Sequence, residues 1–442
     1  MGAADRSALS RDDGPSDAGH ADVSAARAAV DRHLGGGGMV MAAPGTAALR
    51  RPRILYLTKV YPFPPATAGD AVYSRGIITA LAPFADLCVL CAANDGGAAD
   101  PSAVGARWTI RGKRRKGRAG SVLSILPSIA WATATREIRS ALAGMLRQPW
   151  DAIILDNIGT GYALRAALDY RKAHPAVRIA YISHEHESAV RSAKYSQYRL
   201  SVPTRIAASL DARKVANLEL RMLRDVDLVT LINPADRAAF APLAPNQHYF
   251  NLEPGYDGMY VGQRTIDADT PRRVLLLGGR RSAQKRMILA NWLAEAYAPL
   301  TAAGIGIVVA GDMEDSLAVE IADRFPAVEA KGFVEDPATL IASSRAGIIP
   351  DTVGGGFKMR LLTHIFMRLP IIGLGDAISG LPTENGSGYL AAATLPELTA
   401  LIIDTIDDPA KLDALQETAF SDCRAHFDWE KRIEALLGEL LR

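Results

Sequence analysis

Short apolar runs alternate with amphipathic helical stretches along most of this chain, and this alternation is the strongest constraint on its fold. Apolar runs occupy residues 54–57, 87–91, 151–155, 178–183 and 227–232, and stretches of helical periodicity such as 70–81 and 162–174 separate them. Strands that are apolar throughout are typical of parallel sheets covered on both faces. The pattern therefore predicts βαβ units and a doubly wound α/β sheet.

The alternation stops over residues 251–272 and then begins again. This segment is rich in Gly, Pro, Asp and Thr and has no periodicity, as is typical of a linker. A chain of 442 residues also exceeds one ordinary domain of roughly 100 to 200 residues. We therefore expect an N-terminal Rossmann-like domain over residues 51–250 and a second over 273–428, facing each other across a cleft. In the second domain we predict strands at 273–277, 305–310, 328–333, 346–350 and 370–373, and helices at 287–300, 316–324, 337–343 and 358–366.

The N-terminal segment and the cysteines indicate where such a chain resides. Residues 1–50 are mostly Ala, Gly, Asp and Ser, which predicts a disordered extension, and Met39 or Met41 is a candidate start. No signal peptide and no apolar run of about 18 residues is present. Three cysteines are too few for a secreted disulfide framework, and Cys88 and Cys91 lie within an apolar run that predicts a buried strand. We expect a cytoplasmic protein.

The charge balance is uneven along the chain. A formal net charge of +2 argues against a strongly basic nucleic-acid binder. However, residues 51–250 hold 27 basic and 15 acidic side chains, whereas residues 251–442 hold 18 and 27. Residues 111–118 contain six cations, including Lys113, Arg114, Arg115 and Lys116, and precede an apolar, Trp-bearing stretch at 122–134. This segment is either an interfacial element that contacts anionic lipid or a solvated loop.

Several catalytic fingerprints are absent from the sequence. No strand-to-helix turn reads G-x-G-x-x-G, G-x-x-x-x-G-K-[ST] or G-x-S-x-G. Their absence disfavours a plain NAD-dependent dehydrogenase, a P-loop NTPase and a serine hydrolase. The cluster His184-Glu185-His186 is a weak metal site, because side chains two residues apart on a strand point to opposite faces. No metal is expected.

Two glycine-containing segments follow predicted strands of the second domain. In residues 278–286, Arg280 and Lys285 have the chemistry to hold a diphosphate, although a solvated basic turn has the same composition. Residues 354–358 read Gly-Gly-Gly-Phe-Lys before a predicted helix. Backbone N–H groups at such a helix start bind phosphate oxygens, and a mobile loop is the alternative.

The histidine segment ends a predicted strand of the first domain, at the edge where ligands bind in doubly wound sheets. His184, or His186 in its place, has the chemistry to position or polarise a substrate hydroxyl. Alternatively, Ser183 or Ser188 simply caps the helix that follows.

Taken together, these segments resemble the GT-B glycosyltransferases, and most closely glycosyltransferase family 4. The resemblance runs from about residue 53 to 441. It includes the opening strand and loop at 54–70, the 183–188 segment, Gly279-Arg280 with Lys285, the 332–374 stretch, and His426-Phe427-Asp428-Trp429. It implies that residues 429–442 form a helix that packs back on the N-terminal domain.

The family resemblance also implies a function and a set of site residues. It implies retaining, metal-independent transfer from a nucleotide diphosphate sugar to a lipid-linked or polysaccharide acceptor, with no cofactor and no protein nucleophile, because the leaving phosphate takes the acceptor proton. Separately from the resemblance, the interpretation of the basic run at 111–118 as an interfacial element predicts peripheral contact with the inner face of the cytoplasmic membrane. The implied donor-binding residues are Gly69, Arg280, Lys285, Gly354, Gly355, Gly356, Phe357, Lys358 and Thr363.

The sequence departs from the family at two carboxylates. The family usually has a Glu on the helix after the glycine loop and a second Glu eight residues earlier, and Thr363 and Gly355 occupy these positions here. Thr363 offers the donor ribose one hydroxyl, which binds more weakly than a carboxylate. The alternative function is therefore a catalytically silent GT-B-like protein that binds a nucleotide sugar or a partner.

Overall fold

The structure, a computed structural model, describes residues 50–64, 68–94, 104–117, 119–196, 200–352 and 356–442. The predicted N-terminal extension, apart from Arg50, lies outside the described residues, as do Gly354 and Gly355. Arg51–Arg442 form a single compact unit. Within the described ranges, no helix is long and apolar enough to cross a membrane.

The N-terminal domain is built on a seven-stranded, all-parallel sheet with the order β3-β2-β1-β4-β5-β6-β7. Its strands are β1 (Arg53–Val60), β2 (Asp86–Ala93), β3 (Arg107–Lys113), β4 (Ala152–Asp156), β5 (Arg178–Ser183), β6 (Leu228–Leu231) and β7 (Tyr249–Asn251). Its helices are α1 (Gly69–Leu81), α2 (Ala119–Val122), α3 (Ser128–Thr133), α4 (Arg136–Met145), α5 (Leu164–Ala173), α6 (Glu187–Ser196), α7 (Val202–Asp225) and α8 (Asp236–Phe240).

The C-terminal domain repeats this plan with a six-stranded, all-parallel sheet ordered β10-β9-β8-β11-β12-β13. Its strands are β8 (Arg273–Leu277), β9 (Gly306–Ala310), β10 (Val328–Gly332), β11 (Ala346–Ile349), β12 (Ile371–Leu374) and β13 (Leu390–Ala392). Its helices are α9 (Ala283–Ala302), α10 (Asp315–Arg324), α11 (Ala338–Ala342), α12 (Arg360–Phe366), α13 (Leu395–Thr405), α14 (Pro409–Cys423) and α15 (Trp429–Leu440). The predicted doubly wound α/β architecture is confirmed.

Three strands were not predicted, and all lie at or next to a sheet edge. β3 is polar and largely exposed because only its inner neighbour covers it, so it lacks the apolar run of a central strand. β7 and β13 have only three residues each. β7 also extends across residue 251, where the linker was predicted to begin. Periodicity does not reveal strands that are this short or this exposed.

Both sheets are buried on their two faces, as their composition predicts. Along β1, Ile54 and Tyr56 point into one apolar cluster while Leu55 and Leu57 point into another, since side chains alternate along a strand. The first cluster continues through Trp429 into the C-terminal domain. A single continuous core therefore joins the two sheets.

The last helix, α15, packs on the N-terminal domain. Asp428 caps it by accepting hydrogen bonds from the N–H groups of Glu430 and Lys431 at 3.0 and 3.3 Å. The Trp429 ring lies 5.7 Å from that of Tyr73 on α1, and a methyl group on Gly76 would overlap its indole. The chain thus crosses from the second domain back to the first.

Candidate functional site

The cleft between the two sheets lies where each strand order reverses. These switch points fall between β1 and β4 and between β8 and β11. In doubly wound sheets ligands bind outside the carboxyl ends of the strands at such points. A cleft of about 1010 Å³ opens there, and both domains contribute to its wall. Among the lining residues are Lys59, Gly69, Tyr73, Arg114, Arg115, Asn157, His184, Glu187, Gly279, Lys285, Phe357 and Met359.

His184 lies in this cleft, and two buried side chains of the N-terminal domain hold its imidazole in place. Its Nε2 donates to Oδ1 of Asp156 at 2.6 Å, and Asp156 is fully buried at the end of β4. The edge of the Tyr73 ring contacts the imidazole at 5.0 Å between centroids, and the Tyr73 hydroxyl donates to the carbonyl of Leu252. These contacts fix the orientation of the imidazole. Neither Asp156 nor Tyr73 was singled out from the sequence.

His186 faces away from the cleft, as its spacing from His184 predicts. Its Nε2 lies 3.8 Å from Oε2 of Glu219, and its ring packs edge-on against Phe240. It is not among the described residues that line the cleft. Glu219 also accepts the N–H groups of Glu187 and Ser188 at 2.8 and 3.1 Å. The start of α6 is therefore satisfied by a carboxylate from α7, not by a local serine.

Lys59 and Glu187 place two titratable groups on the N-terminal wall of the cleft. Burial, followed by repulsion from Arg114, lowers the pKa of Lys59 to about 8, although its ammonium contacts Asp70. Burial, followed by repulsion from Glu185, raises the pKa of Glu187 to about 7, despite the Arg191 guanidinium 3.4 Å away. Both groups change charge near neutral pH. Sequence reasoning missed them because their shifts come from burial.

Arg280 lies beneath the C-terminal floor of the cleft. Its side chain is only 2% exposed, and its Nη1 donates to the carbonyl of Gly279 at 3.1 Å. Burial, followed by repulsion from Arg360, lowers its pKa to about 9, while Asp351 acts in the opposite direction. Within the described residues, its Nε has no hydrogen-bond partner. Arg280 therefore contributes positive charge to a site that water reaches poorly.

Lys285, Lys358 and Arg360 form a cluster of positive charge together with Arg280. Lys285 lies in the first turn of α9, which Ser282 caps by accepting the Lys285 N–H at 3.2 Å. Burial, followed by Arg360, lowers the pKa of Lys285, and burial also lowers the pKa of Lys358. The Arg360 guanidinium contacts the Asp351 carboxylate. Arg360 was not predicted, because it looks like an ordinary surface residue of a helix.

Glycines at the ends of β8 and β9 let two loops approach closely. Gly278 has a φ of +114° and Gly311 a φ of +141°, a region that side chains rarely adopt. A methyl group on Gly311 would overlap the carbonyl of Gly278. The N–H of Gly278 donates to the Ala310 carbonyl at 2.9 Å. This close approach positions the Gly279–Arg280 backbone at the mouth of the strands.

Only part of the predicted glycine loop is described, namely Gly356 onward. Gly356 has a φ of +65° and adjoins the His184 carbonyl of the other domain. Phe357 is buried against Phe427, 5.6 Å between ring centroids. The helix begins at Arg360 and not at Lys358 as predicted, because residues 356–359 bridge the two domains before the chain coils.

Of the predicted donor-binding residues Gly69 and Thr363, only Gly69 is among the described residues that line the cleft. Gly69 lines the cleft at the start of α1, where a Cβ would lie 3.8 Å from Cγ of Met359 in the other domain. Thr363 instead lies near the Tyr256 hydroxyl, which donates to the Met259 carbonyl at 2.9 Å, and the Tyr256 ring stacks on Phe366 at 4.4 Å. Thr363 is not among the described lining residues. It therefore lies beside the interdomain connection, outside the described lining of the cleft.

The described cations of the basic run at 111–118 lie on two surfaces, one inside the cleft and one outside it. Lys113 ends strand β3, and Lys116 is exposed outside the cleft lining. Arg114 and Arg115 line the cleft. The Arg115 guanidinium lies 4.9 Å from the Trp131 ring, and the backbone N–H of Arg115 donates to the Ala132 carbonyl at 2.9 Å. The run is therefore not a uniform solvated loop.

Comparison of this structure with solved structures identifies its fold. Anabaena HepE, solved with UDP and glucose, superimposes with a TM-score of 0.59 at 15% identity, covering 88% of this chain and 99% of that chain. Sucrose-phosphate synthase from Thermosynechococcus elongatus gives 0.61 at 16% identity, over 87% and 97%. The lipopolysaccharide outer core galactosyltransferase WaaB, in its apo form, gives 0.55 at 13% identity, over 88% and 100%.

The chain has the GT-B fold. Its two parallel-sheet domains and the cleft between them match those of these glycosyltransferases along nearly their whole length. At the level of sequence, no protein-family model and no curated protein matches the chain. The likeness is therefore one of architecture, and activity has to be argued from the site.

Proposed function

We propose that this protein is a glycosyltransferase of the family 4 type, which transfers a sugar from a nucleotide diphosphate sugar to a lipid-linked or polysaccharide acceptor. The observation that carries this proposal is the cluster of Arg280, Lys285, Lys358 and Arg360, which share Asp351 as a neighbouring carboxylate. Arginine binds phosphate oxygens through its planar fork and lysine acts as a point charge. A diphosphate would add negative charge to this partly buried cluster of four cations.

In the proposed reaction the cationic cluster stabilises the departing diphosphate. Negative charge develops on the leaving phosphate as the glycosidic bond breaks, and fixed cations in a water-poor site stabilise it strongly. The cluster takes the role that a divalent metal has in other transferases, so transfer would proceed without metal. The leaving phosphate accepts the acceptor proton, and the anomeric configuration is retained without a protein nucleophile.

His184 is the proposed contact for the sugar or for the acceptor hydroxyl. Because Nε2 is engaged by Asp156, Nδ1 is the ring nitrogen that would meet a substrate. Arg114 and Arg115, on the same wall, would contact the acceptor. Lys113 and Lys116 would contact anionic lipid at the inner face of the cytoplasmic membrane. Such an enzyme would serve cell-surface or exopolysaccharide biosynthesis.

The second candidate is a catalytically silent protein that binds a nucleotide sugar or a partner enzyme. The residue at position 363 favours it, because a threonine stands where the family provides a carboxylate for the ribose, and Thr363 is not among the described residues that line the cleft. Sugar transfer by the purified protein separates the two functions. Nucleotide binding without turnover of any donor sugar would favour this second candidate.

A thermal-shift panel tests the donor site directly. UDP, GDP, dTDP, ADP and their sugars are each compared with the ligand-free protein, and UDP comes first because the HepE structure holds it. A nucleotide at a hundred times its dissociation constant stabilises the fold by about 2.7 kcal/mol. We expect nucleotides of one base to raise the melting temperature, and to raise it by the same amount in the presence of EDTA. If no nucleotide shifts the melting temperature, the donor-site assignment is wrong.

A further inference from the structure

Two apolar side chains project almost fully from a turn of the N-terminal domain. Leu123 is 95% exposed and Ile125 is 93% exposed, directly after helix α2. The turn is ordered by hydrogen bonds, since the Ser124 N–H donates to the Ser121 carbonyl at 3.1 Å and the Leu126 N–H to Oγ of Ser124 at 3.0 Å. The exposure of these side chains is therefore built into the turn.

A row of apolar residues on helix α7 leads to the same turn. Val202 and Ile206 are 66% and 59% exposed, and Leu210 follows at the same spacing of four residues, so the three share one face of the helix. Lys214 is the next position in this row, and its ammonium donates to the carbonyls of Ser121 and Val122, at 2.9 Å each. Row and turn therefore form one continuous surface.

Cations surround this surface, whereas acids are scarce near it. Arg205 and Arg213 are exposed on the same helix. The only acid between residues 202 and 213, Asp211, is buried, where it accepts the Ser128 N–H at 2.6 Å. Residues 101–150, which include the turn and the basic run, contain ten basic residues and a single acid, Glu137. An apolar surface surrounded by cations complements an anionic bilayer.

We propose that this surface is a membrane-docking face that inserts into an anionic lipid monolayer. The docking face consists of Val122, Leu123, Ile125, Val202, Ile206 and Leu210. The α7 row provides half of its apolar residues, and the basic run adds electrostatic attraction from its flank. The proposal rests on the proposed function in one respect, which is that a lipid-linked acceptor would be reached from the bilayer surface.

Vesicle sedimentation of the full chain tests this assignment. Phosphatidylcholine vesicles with and without phosphatidylglycerol are compared for the wild type, for Leu123→Ser/Ile125→Ser and for Ile206→Ser/Leu210→Ser. We expect each double variant to lower the partition coefficient into anionic vesicles at least about tenfold. The reason is that serine side chains, unlike the apolar ones they replace, gain no free energy by moving from water into lipid. Val319→Ser, at a 60% exposed position on α10, is the matched control and should leave binding unchanged.

A site-specific fluorophore reports which residues enter the lipid. The three native cysteines are buried, so a polarity-sensitive dye can be attached selectively to Ile206→Cys or to Val319→Cys. We expect a blue shift with anionic vesicles at position 206 and none at 319. An unresponsive label at 206, or vesicle binding that ignores both double variants, overturns the proposal.

Two further outcomes separate this inference from its rivals. If the double variants abolish self-association or the binding of another protein while the wild type ignores vesicles, the face is a protein interface and the proposal is wrong. The nucleotide-induced thermal shift is measured on the same samples without lipid. A retained shift with no vesicle binding rejects the docking face alone, whereas vesicle binding with no shift for any nucleotide rejects the donor site alone.

Discussion

Gly356 of the C-terminal domain lies directly against the backbone carbonyl of His184 in the N-terminal domain. Any Cβ at position 356 would overlap that carbonyl oxygen, and the φ of Gly356 is +65°. Gly356 and the histidine segment thus meet beside the cleft that His184 and Phe357 line. At this contact each domain constrains the position of the other, next to the proposed donor site.

The substitution Gly356→Ala should open this contact. The methyl group has to displace the backbone of residue 184, so we expect turnover to fall at least about tenfold and stability to fall by about 2 kcal/mol or more. Gly386→Ala is the control, because Gly386 has a φ of +92° but open space around it. It should cost only about 1 to 2 kcal/mol and leave turnover intact. Equal effects of the two substitutions on turnover would contradict the interdomain contact.

Lys285→Ala should lower turnover about a hundredfold or more, if the ammonium meets charge that develops in the transition state. Arg286→Ala is its neighbour-matched control, since the Arg286 guanidinium turns away to Glu314 at 2.8 Å. Steady-state kinetics with the donor identified by the thermal-shift panel provide the measurement. Unchanged kcat/KM in Lys285→Ala would remove this residue from the site.

Asp351→Asn should destabilise the ligand-free protein by about 3 kcal/mol, because Arg360 and its cationic neighbours lose a shared carboxylate. An anion in the cleft should offset part of this loss. We therefore expect inorganic pyrophosphate to raise the unfolding free energy more in the variant than in the wild type. Urea unfolding with and without pyrophosphate measures both effects, and an equal gain in the two proteins would argue against a diphosphate site.

The two histidines of the 184–186 segment should respond differently to substitution. His184→Gln should lower kcat at least about tenfold with little change in nucleotide affinity, because the lost contact is to sugar or acceptor. His186→Gln should leave kcat nearly unchanged, since its ring contacts Glu219 and Phe240 outside the cleft. A reversed order of effects would show that the cleft rearranges around the substrate.

Glu187 should make stability depend on pH. Its pKa rises from 4.5 to about 7 on folding, so the folded state binds more protons than the unfolded state between these values. The unfolding free energy contributed by this group therefore falls as pH rises from about 4.5 to about 7. We expect Glu187→Gln to be more stable than the wild type at pH 8, by roughly 1 to 3 kcal/mol, with a smaller difference at pH 5. Urea unfolding at both values decides this, and the opposite trend would contradict the raised pKa.

The sequence predicted the architecture because its evidence is local. Strands β1, β4, β5 and β8 each contain an unbroken apolar run, and the helices between them have clear periodicity. Such patterns follow from burial on both faces of a parallel sheet, whatever the rest of the chain does. Strands β3, β7 and β13 were missed because edge position or short length removes that pattern.

The positions of two clustered cations were predictable in the same way. Arg280 and Lys285 follow a strand and a glycine, so their position at the mouth of β8 follows from the order of elements along the chain. Arg360 was not predictable, because its place in the cluster depends on the contact with Asp351, which follows another strand.

Only the tertiary structure decided which residues meet. Sequence spacing could not choose between His184 and His186, and the buried Asp156 at the end of β4 selects His184. The family resemblance likewise assigned Thr363 to the donor, whereas in the structure Thr363 lies near Tyr256 and is not among the described residues that line the cleft. Local patterns report whether a residue is buried, since burial constrains residue type. They do not report its partner, because a partner comes from a distant part of the chain and is fixed only when the two sheets and α15 pack together.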